Sequence, residues 1–526
     1  MRVASLSSPH LHFSLNSTTG RWSLYPHQHE TPYFEEARFG AIYEIPPRKS
    51  RRTVYWDGEL HDSQAGPPVR VDSPHGQLTL LKVRARTPAS PHSPASGEGL
   101  GWELEFALPA DRPFFLWRVT ARNLGRQPIA LDVIDLLRIG PHFQRRSGRA
   151  GWLFRLGTLF SADGARGVRV ALSKTQGSAG ALRLHPSPAR LAFFSNGYQS
   201  WSFAGALQAD RHQSSSLFGP LGDPKALNLI TPRLRQPGRF TSEMFGVIGD
   251  REHNAGVVAG FLSQREQFGA VEVLLDSLAP SMRLTAQCDG VTLAPGQEHA
   301  TDWAYLQFIA LDDPDPLGDY AEAVARENNA RVPAHTPVGW CSWYHYFDKV
   351  TEDDITNNLA AIVNERDRLP LDFVQLDDGF QAQVGDWFET KPTFPRGLKW
   401  LAAEIRAHKQ TPGLWLAPYM VRSDARLLRQ HPNWFLRDAR GRLVSAGFNW
   451  FKWCYALDPT HPEVREHVRR LITTAVREWG FPYLKLDFLY AAALPAKRYD
   501  PALTRAQAMR LALMDIREAA GPDTFI

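Results

Sequence analysis

Two regimes of hydrophobic patterning divide the chain. Over about the first 325 residues, apolar positions come in short runs rich in β-branched and aromatic residues, broken by Gly, Pro and Asn. Examples are GWELEFAL (101–108), FFLWRVTARN (114–123), IALDVIDLLRI (129–139) and GVVAGFLS (256–263). In WELEFAL the alternation is strict, which puts Trp102, Leu104 and Phe106 on one face, the period of a half-buried strand. Many short strands at this spacing predict an antiparallel sandwich. The stretch RTPASPHSPASGEG (86–99) reads as a loop, and PLGDYAEAVARENNAR (316–331) as a helix that joins the β region to the rest of the chain.

From Val338 the pattern changes. VGWCSW, LDFVQLDD, GLWLAPY and YLKLDFLY are strand candidates, and helical segments alternate with them. In TEDDITNNLAAIVNER, Thr351 and Asp354 form a capping pair, with Ile355, Leu359 and Ile362 on one face. The following helices are predicted through Leu398, Leu401, Ala402 and Ile405, then Val464, Val468, Leu471, Ala475 and Trp479, then Ala506, Met509, Leu513 and Ile516. TFI begins a fifth strand. Successive βα units predict a parallel sheet with helices outside, either an open doubly wound sheet or a (β/α)8 barrel. No Gly-rich phosphate loop follows the first strand, which weakens the dinucleotide-binding option. Polar and aromatic residues gather where the strands end: Trp343, Tyr344, Asp377, Asp378, Trp415, Lys485 and Asp487. Barrel enzymes keep their active sites there.

Composition changes this picture little. The chain has 526 residues, 43% hydrophobic and 22% charged, enough for two or three domains with a large core. No apolar run is long enough to span a bilayer, and the N-terminus lacks the apolar core of a signal peptide. Three cysteines, Cys288, Cys341 and Cys454, show neither a disulfide framework nor metal spacing, so a cytoplasmic protein with no metal and no cofactor is expected. Net charge is +5, but the basic clusters PPRKSRR (46–52) and FQRRSGR (143–149) are short and lack any nucleic-acid-binding context. Sixteen Trp suit either a large core or a site that stacks the flat apolar faces of sugars. Cys341 reads as core and His345 as a packing residue.

Lys485 and Asp487 share a strand face by the period of two. An isolated charge on a buried strand is costly, so the pair is either a structural ion pair or chemistry. An ammonium within about 4–6 Å favours the charged form of a carboxylate. An ionised carboxylate held against an anomeric carbon can attack it. Asp487 is thus a candidate glycosyl nucleophile, with Lys485 holding a sugar hydroxyl. Asp377-Asp378-Gly379 is also plain turn chemistry for a strand end; beside the other residues it reads as hydroxyl-binding.

The strings ENNARVPAHTPVGWCSWYHYF (327–347), VQLDDGF (374–380), GDWFETKPTFPRGLKWLA (385–402), GLWLAPYMV (413–421) and YLKLDFLYAAALP (483–495), with NGYQSW (196–201) upstream, resemble glycoside hydrolase family 36, the α-galactosidases or melibiases. The resemblance implies an N-terminal β-supersandwich (1–315), a helical linker (316–335) and a (β/α)8 TIM-type barrel whose first half occupies 336–526. It implies a retaining exo-α-galactosidase acting on galactose-containing oligosaccharides. Asp487 would be the nucleophile, with Asp377, Asp378 and Lys485 on galactose hydroxyls, Trp343, Tyr344 and Trp415 lining the site, and Trp201 or Tyr198 closing it. The family's acid/base Asp lies on a later strand, so the expectation is a chain truncated before that residue and of uncertain activity; Asp515, Glu518 and Asp523 read as surface residues. Related α-glycoside activities (α-N-acetylgalactosaminidase, galactosyl transfer), a non-catalytic carbohydrate-binding remnant and a homo-oligomer stay open.

Overall fold

The structure is a computed structural model, and it describes residues 3–27, 34–45, 52–56, 58–87, 99–140, 181–182, 190–197, 199, 202–213, 236–275 and 280–526. The chain forms two compact units, one of residues 1–330 with 502–507, the other of 331–501 with 508–526. The loop expected at 86–99 and both basic clusters fall mostly outside the described residues. Among the described residues no helix is long and apolar enough to cross a membrane.

Among the described residues, the first unit holds two large antiparallel sheets, one of 10 and one of 11 strands. The predicted strands are present as Leu100–Pro109, Phe114–Asn123, Ile129–Ile139 and Ala255–Phe261. Their apolar faces meet in one core: Phe13 lies 4.5 Å from Phe106 and 5.0 Å from Phe115, and Trp22 lies 5.6 Å from Trp117, ring centre to ring centre. Trp102, Leu104 and Phe106 are buried, as the alternation requires. Glu105 is buried as well, although it faces the other way. Burial raises its pKa, but bonds from Arg118 and Lys82 on the two flanking strands outweigh that and leave it lowered. The helix Gly318–Glu327 covers the outer face of the 11-stranded sheet, where Tyr320 packs on Tyr305 and Phe245 and donates its hydroxyl to the Phe261 carbonyl at 2.8 Å.

The second unit is built on a parallel sheet with spatial order Gly339–Cys341, Phe373–Leu376, Thr411–Leu416 and Tyr483–Leu486. Phe525 makes a single parallel bridge to Tyr483, where the fifth strand was expected. The helix Glu352–Asn364 starts with a full capping box between Thr351 and Asp354 and buries Ile355, Leu359 and Ile362. Leu398, Leu401, Ala402 and Ile405 are buried on the helix Gly397–Ala407.

Three features depart from the periodic reading. The helix Pro462–Thr473 runs into a π turn, Thr474–Glu478. The extra residue rotates the face, so Trp479 is only half-buried. On the helix Arg505–Ala520, Ala506 and Ile516 of the predicted face are buried together with Ala508, Ala512, Asp515 and Ala520, while Leu513 of that face and its neighbour Met514 are exposed. The cause is electrostatic. Asp515, expected at the surface, is 1% exposed and accepts from Arg465 at 2.7 and 3.0 Å and from Arg469, which turns this face inward. Finally, a three-stranded antiparallel sheet interrupts the βα order, with Lys452–Ala456 between Met420–Arg422 and Ser445–Asn449.

Candidate active site

Sheet register brings the polar residues together. Gln375, Gly413 and Tyr483 stand side by side on three adjacent strands. Two residues further on, Trp415 is beside Lys485, and Asp377 has just left the strand Phe373–Leu376. By the period of two these side chains share one face with those below them. Gly413 leaves the middle strand bare: a Cβ there would sit 2.9 Å from the Tyr483 ring and 3.1 Å from Gln375 Cβ. Over that gap Lys485 reaches across to Asp377, Nζ to Oδ2 at 2.7 Å.

Asp377 is 2% exposed and heavily engaged. Its Oδ2 also accepts from Gln375 Nε2 at 2.6 Å and from the Cys341 thiol at 3.2 Å, and its Oδ1 accepts from the Asp378 N–H at 2.9 Å. Its own N–H donates to Ser342 Oγ at 3.0 Å. Asp378 is equally buried and held at both oxygens, Oδ1 by Gln381 Nε2 at 2.6 Å and Oδ2 by Trp450 Nε1 at 2.5 Å. Burial raises the Asp378 pKa, and the two bonds only partly offset it. Asp487 follows the strand Tyr483–Leu486 and accepts from Trp415 Nε1 at 3.1 Å and from the Phe488 N–H at 2.8 Å. For Lys485, burial works to lower the pKa, but the bond and charge of Asp377 prevail, with a smaller contribution from Asp487, and the group is held as an ammonium.

A carboxylate has about four acceptor sites, two on each oxygen. Among the described bonds, Oδ2 of Asp377 is saturated, whereas Asp378 and Asp487 each keep one site per oxygen. Lys485 has used one of its three N–H donors. Oδ1 of Asp377, with its one bond from the Asp378 N–H, keeps a site too, so the network offers free acceptors on three carboxylates and free donors on one ammonium, a set that suits a polyol. The indole of Trp415 lies 6.4 Å from the rings of both Trp450 and Phe488. Phe488 has φ 52°, left-handed backbone at the residue after Asp487. Such a conformation costs about 1–2 kcal/mol for a bulky side chain, and strain of this kind gathers at functional sites. Gly379, at φ 129°, lets the Asp377–Asp378 turn press against the Asp348 backbone, which a Cβ would meet at 3.0 Å.

The structure brings together Asp377, Asp378, Trp415, Lys485 and Asp487. It revises the pairing: the ammonium of Lys485 bonds Asp377, and the carboxylate of Asp487 takes its hydrogen bonds from Trp415 and the Phe488 N–H. Cys341 is no core residue, since its half-buried thiol faces Asp377; burial and the neighbouring carboxylate push its pKa up to about 11. Trp343 and Tyr344 leave the strand for a single helical turn, Trp343–Tyr346. Trp343 packs edge-on against Phe347 at 5.4 Å, and Tyr344 is 83% exposed. His345 is exposed and packs on Tyr346. Tyr198 and Trp201 lie outside the described residues. Sequence reasoning missed Trp450, Gln381 and Gln375. Gln375 carries a signal, since it precedes Asp377 by two on the same face. Trp450 sits in a hairpin turn whose two central positions, Trp450 and Phe451, carry no turn residue.

Residues 324–519 match the melibiase family model. Alpha-galactosidase 2 of Pediococcus pentosaceus is 31% identical over 138 residues, which cover 25% of this chain and 18% of the relative. The chain spans about a fifth of the length of the curated relatives it matches. Among solved structures, the α-galactosidase TtGalA of Thermus thermophilus, in complex with stachyose, is 25% identical with a TM-score of 0.50, covering 87% of this chain and 73% of its own. The GH36 α-galactosidase AgaA of Geobacillus stearothermophilus shares the fold at 13% identity, TM-score 0.57, covering 99% of this chain and 70% of its own. Over residues 324–519 the chain thus resembles the melibiases, and its fold is that of the GH36 α-galactosidase AgaA.

Proposed function

We propose that this chain carries the galactosyl-binding and nucleophile half of a retaining α-galactosidase. Terminal α-linked galactose of an oligosaccharide is held by Lys485, Asp377 and Asp378, and Asp487 attacks the anomeric carbon. The bond from carbon one to the leaving oxygen breaks as the Asp487 oxygen bonds to that carbon. The departing oxygen takes a proton from a general acid, which the assigned residues do not include. Water then releases galactose with retention. The observation that carries this reading is the hydrogen-bonded network at the ends of neighbouring parallel strands, with acceptors free on Asp378 and Asp487 and donors free on Lys485. A positive charge beside the ring-binding carboxylates and a separately bonded attacking carboxylate suit the two roles.

The test uses an aryl α-galactoside, whose leaving group departs without acid help. Asp487→Ala abolishes its cleavage, and added azide restores turnover with β-galactosyl azide as product, because azide takes the place of the missing carboxylate. Unchanged turnover in the variant, or α-galactosyl azide as product, refutes the assignment. Galactose binding by the unsubstituted chain without any turnover of the aryl substrate favours the second reading, a binding module. That reading draws on the saturated Oδ2 of Asp377 and the two-point hold on Asp378, which describe fixed recognition groups and not proton carriers.

A further inference from the structure

The hairpin between Ser445–Asn449 and Lys452–Ala456 closes through two residues, Trp450 and Phe451, since Asn449 pairs with Lys452. Both are left-handed, at φ 52° and 57°. A two-residue hairpin turn with both residues left-handed is the type that selects Asn and Gly. Two bulky aromatics in it are unfavourable, and such strain persists only where surrounding contacts hold it. One side of the turn shows those contacts. Trp450 points inward: its N–H donates to Asp378 Oδ2 at 2.5 Å, and its ring packs edge-on against Phe488 at 5.4 Å and Trp415 at 6.4 Å. Phe451 points outward and is 91% exposed.

We propose that Trp450 is a substrate-positioning residue: its indole N–H, with the Gln381 amide on the other oxygen, fixes the plane of the Asp378 carboxylate so that the one acceptor site left on each oxygen meets sugar hydroxyls. The proposal rests on the α-galactoside reading of the site. Two donors from two separate segments, Gln381 just after the strand Phe373–Leu376 and Trp450 in the hairpin, hold the carboxylate at both ends. A carboxylate held at one end only rotates about its Cβ–Cγ bond, and its acceptors leave the hydroxyls. The charges facing Asp378 are Asp377, which opposes its ionisation, and Lys391, which favours it. Loss of the indole N–H removes one of the bonds that favour the ionised form, so the acid limb of galactose binding moves to higher pH.

The experiment measures galactose affinity of the full chain by calorimetry. Trp450→Phe keeps the ring and removes the donor; it weakens galactose binding about tenfold and raises KM more than it lowers kcat in any α-galactoside assay. In an Asp378→Asn background the same substitution adds less than twofold, because the acceptor it positions is already altered. Phe451→Gly, which relieves the left-handed strain on the outer side of the turn, keeps galactose affinity within twofold and raises the melting temperature. The proposal is overturned if Trp450→Phe binds galactose as tightly as the parent, or if it loses the same tenfold in the Asp378→Asn background, the mark of a packing role. A parent chain that binds no galactose overturns the functional reading itself, and this proposal with it.

Discussion

Lys485→Met puts the ion pair at the centre of the site to a quantitative test. The lysine side chain is 36% exposed and that of Asp377 2%, at 2.7 Å separation. Removing one member of a fully buried pair costs about 3–5 kcal/mol. Here water reaches the lysine end, so screening reduces the figure. The carboxylate also keeps its bonds from Gln375, Cys341 and the Asp378 N–H. A hydrogen bond to a charged group is worth about 1.5–3 kcal/mol, and we expect a loss of about 2 kcal/mol. Asp377→Asn, which keeps an acceptor, costs about 1 kcal/mol by the same measure. In the double variant no buried charge is stranded, so the total is about 2 kcal/mol and the coupling about 1 kcal/mol. The folded pKa of Lys485 is raised, so its contribution is fully present below the unfolded value of about 10.4 and fades only as pH rises through the higher folded value. The lysine term is therefore constant across neutral pH. Native-state hydrogen exchange of amides in Phe373–Leu376 and Tyr483–Leu486 reads the local opening free energy without requiring both units to unfold together. Losses that simply add, within about 0.5 kcal/mol, would refute the pairing.

Two further outcomes probe the surrounding frame. His467 is packed between Trp434 and Phe388, and burial, helped by the charges of His431 and Arg470, lowers its pKa to about 4. The unfolded state binds its proton near pH 6.5, so stability falls as pH drops from there to about 4, by at most about 1.4 kcal/mol per unit; His467→Phe flattens that slope in urea titrations. Asp515→Asn leaves Arg465 and Arg469 without their shared carboxylate and costs about 2–3 kcal/mol, less than a fully buried pair because the arginines are 30% and 37% exposed; a change under 0.5 kcal/mol in the unfolding midpoint contradicts the ion-pair account of that helix face.

Much of the frame was legible because burial and periodicity agree in it. The alternation at Trp102, Leu104 and Phe106 and the helical spacing at Ile355, Leu359 and Ile362 each have one face to hide, and both faces are buried as predicted. Periodicity misled where something other than apolar burial set the face. Asp515 is drawn inward by two arginines brought from another helix, a contact no local pattern encodes. Trp479 is displaced by a π turn. At the candidate site, the grouping of Asp377, Asp378, Trp415, Lys485 and Asp487 was legible because strand ends place them in one row. Which cation meets which carboxylate was not legible, since the bare backbone at Gly413 decides how far Lys485 reaches. Trp450 was hidden for a different reason: the two central positions of its turn depart from the residue preferences that mark a tight hairpin, and that departure is visible only once the backbone angles are known.

The proposed reaction turns on Asp487 bonding to carbon one of a galactosyl unit. A 2-deoxy-2-fluoro-α-galactosyl fluoride, whose good leaving group needs no acid while the fluorine slows turnover of the covalent adduct, tests it directly. After incubation and proteolysis, mass spectrometry is predicted to find one fluorogalactosyl group, on Asp487 in the peptide that contains the strand Tyr483–Leu486, and free galactose to protect against it. A label on Asp377, Asp378 or any other residue, with Asp487 unmodified, would contradict the account.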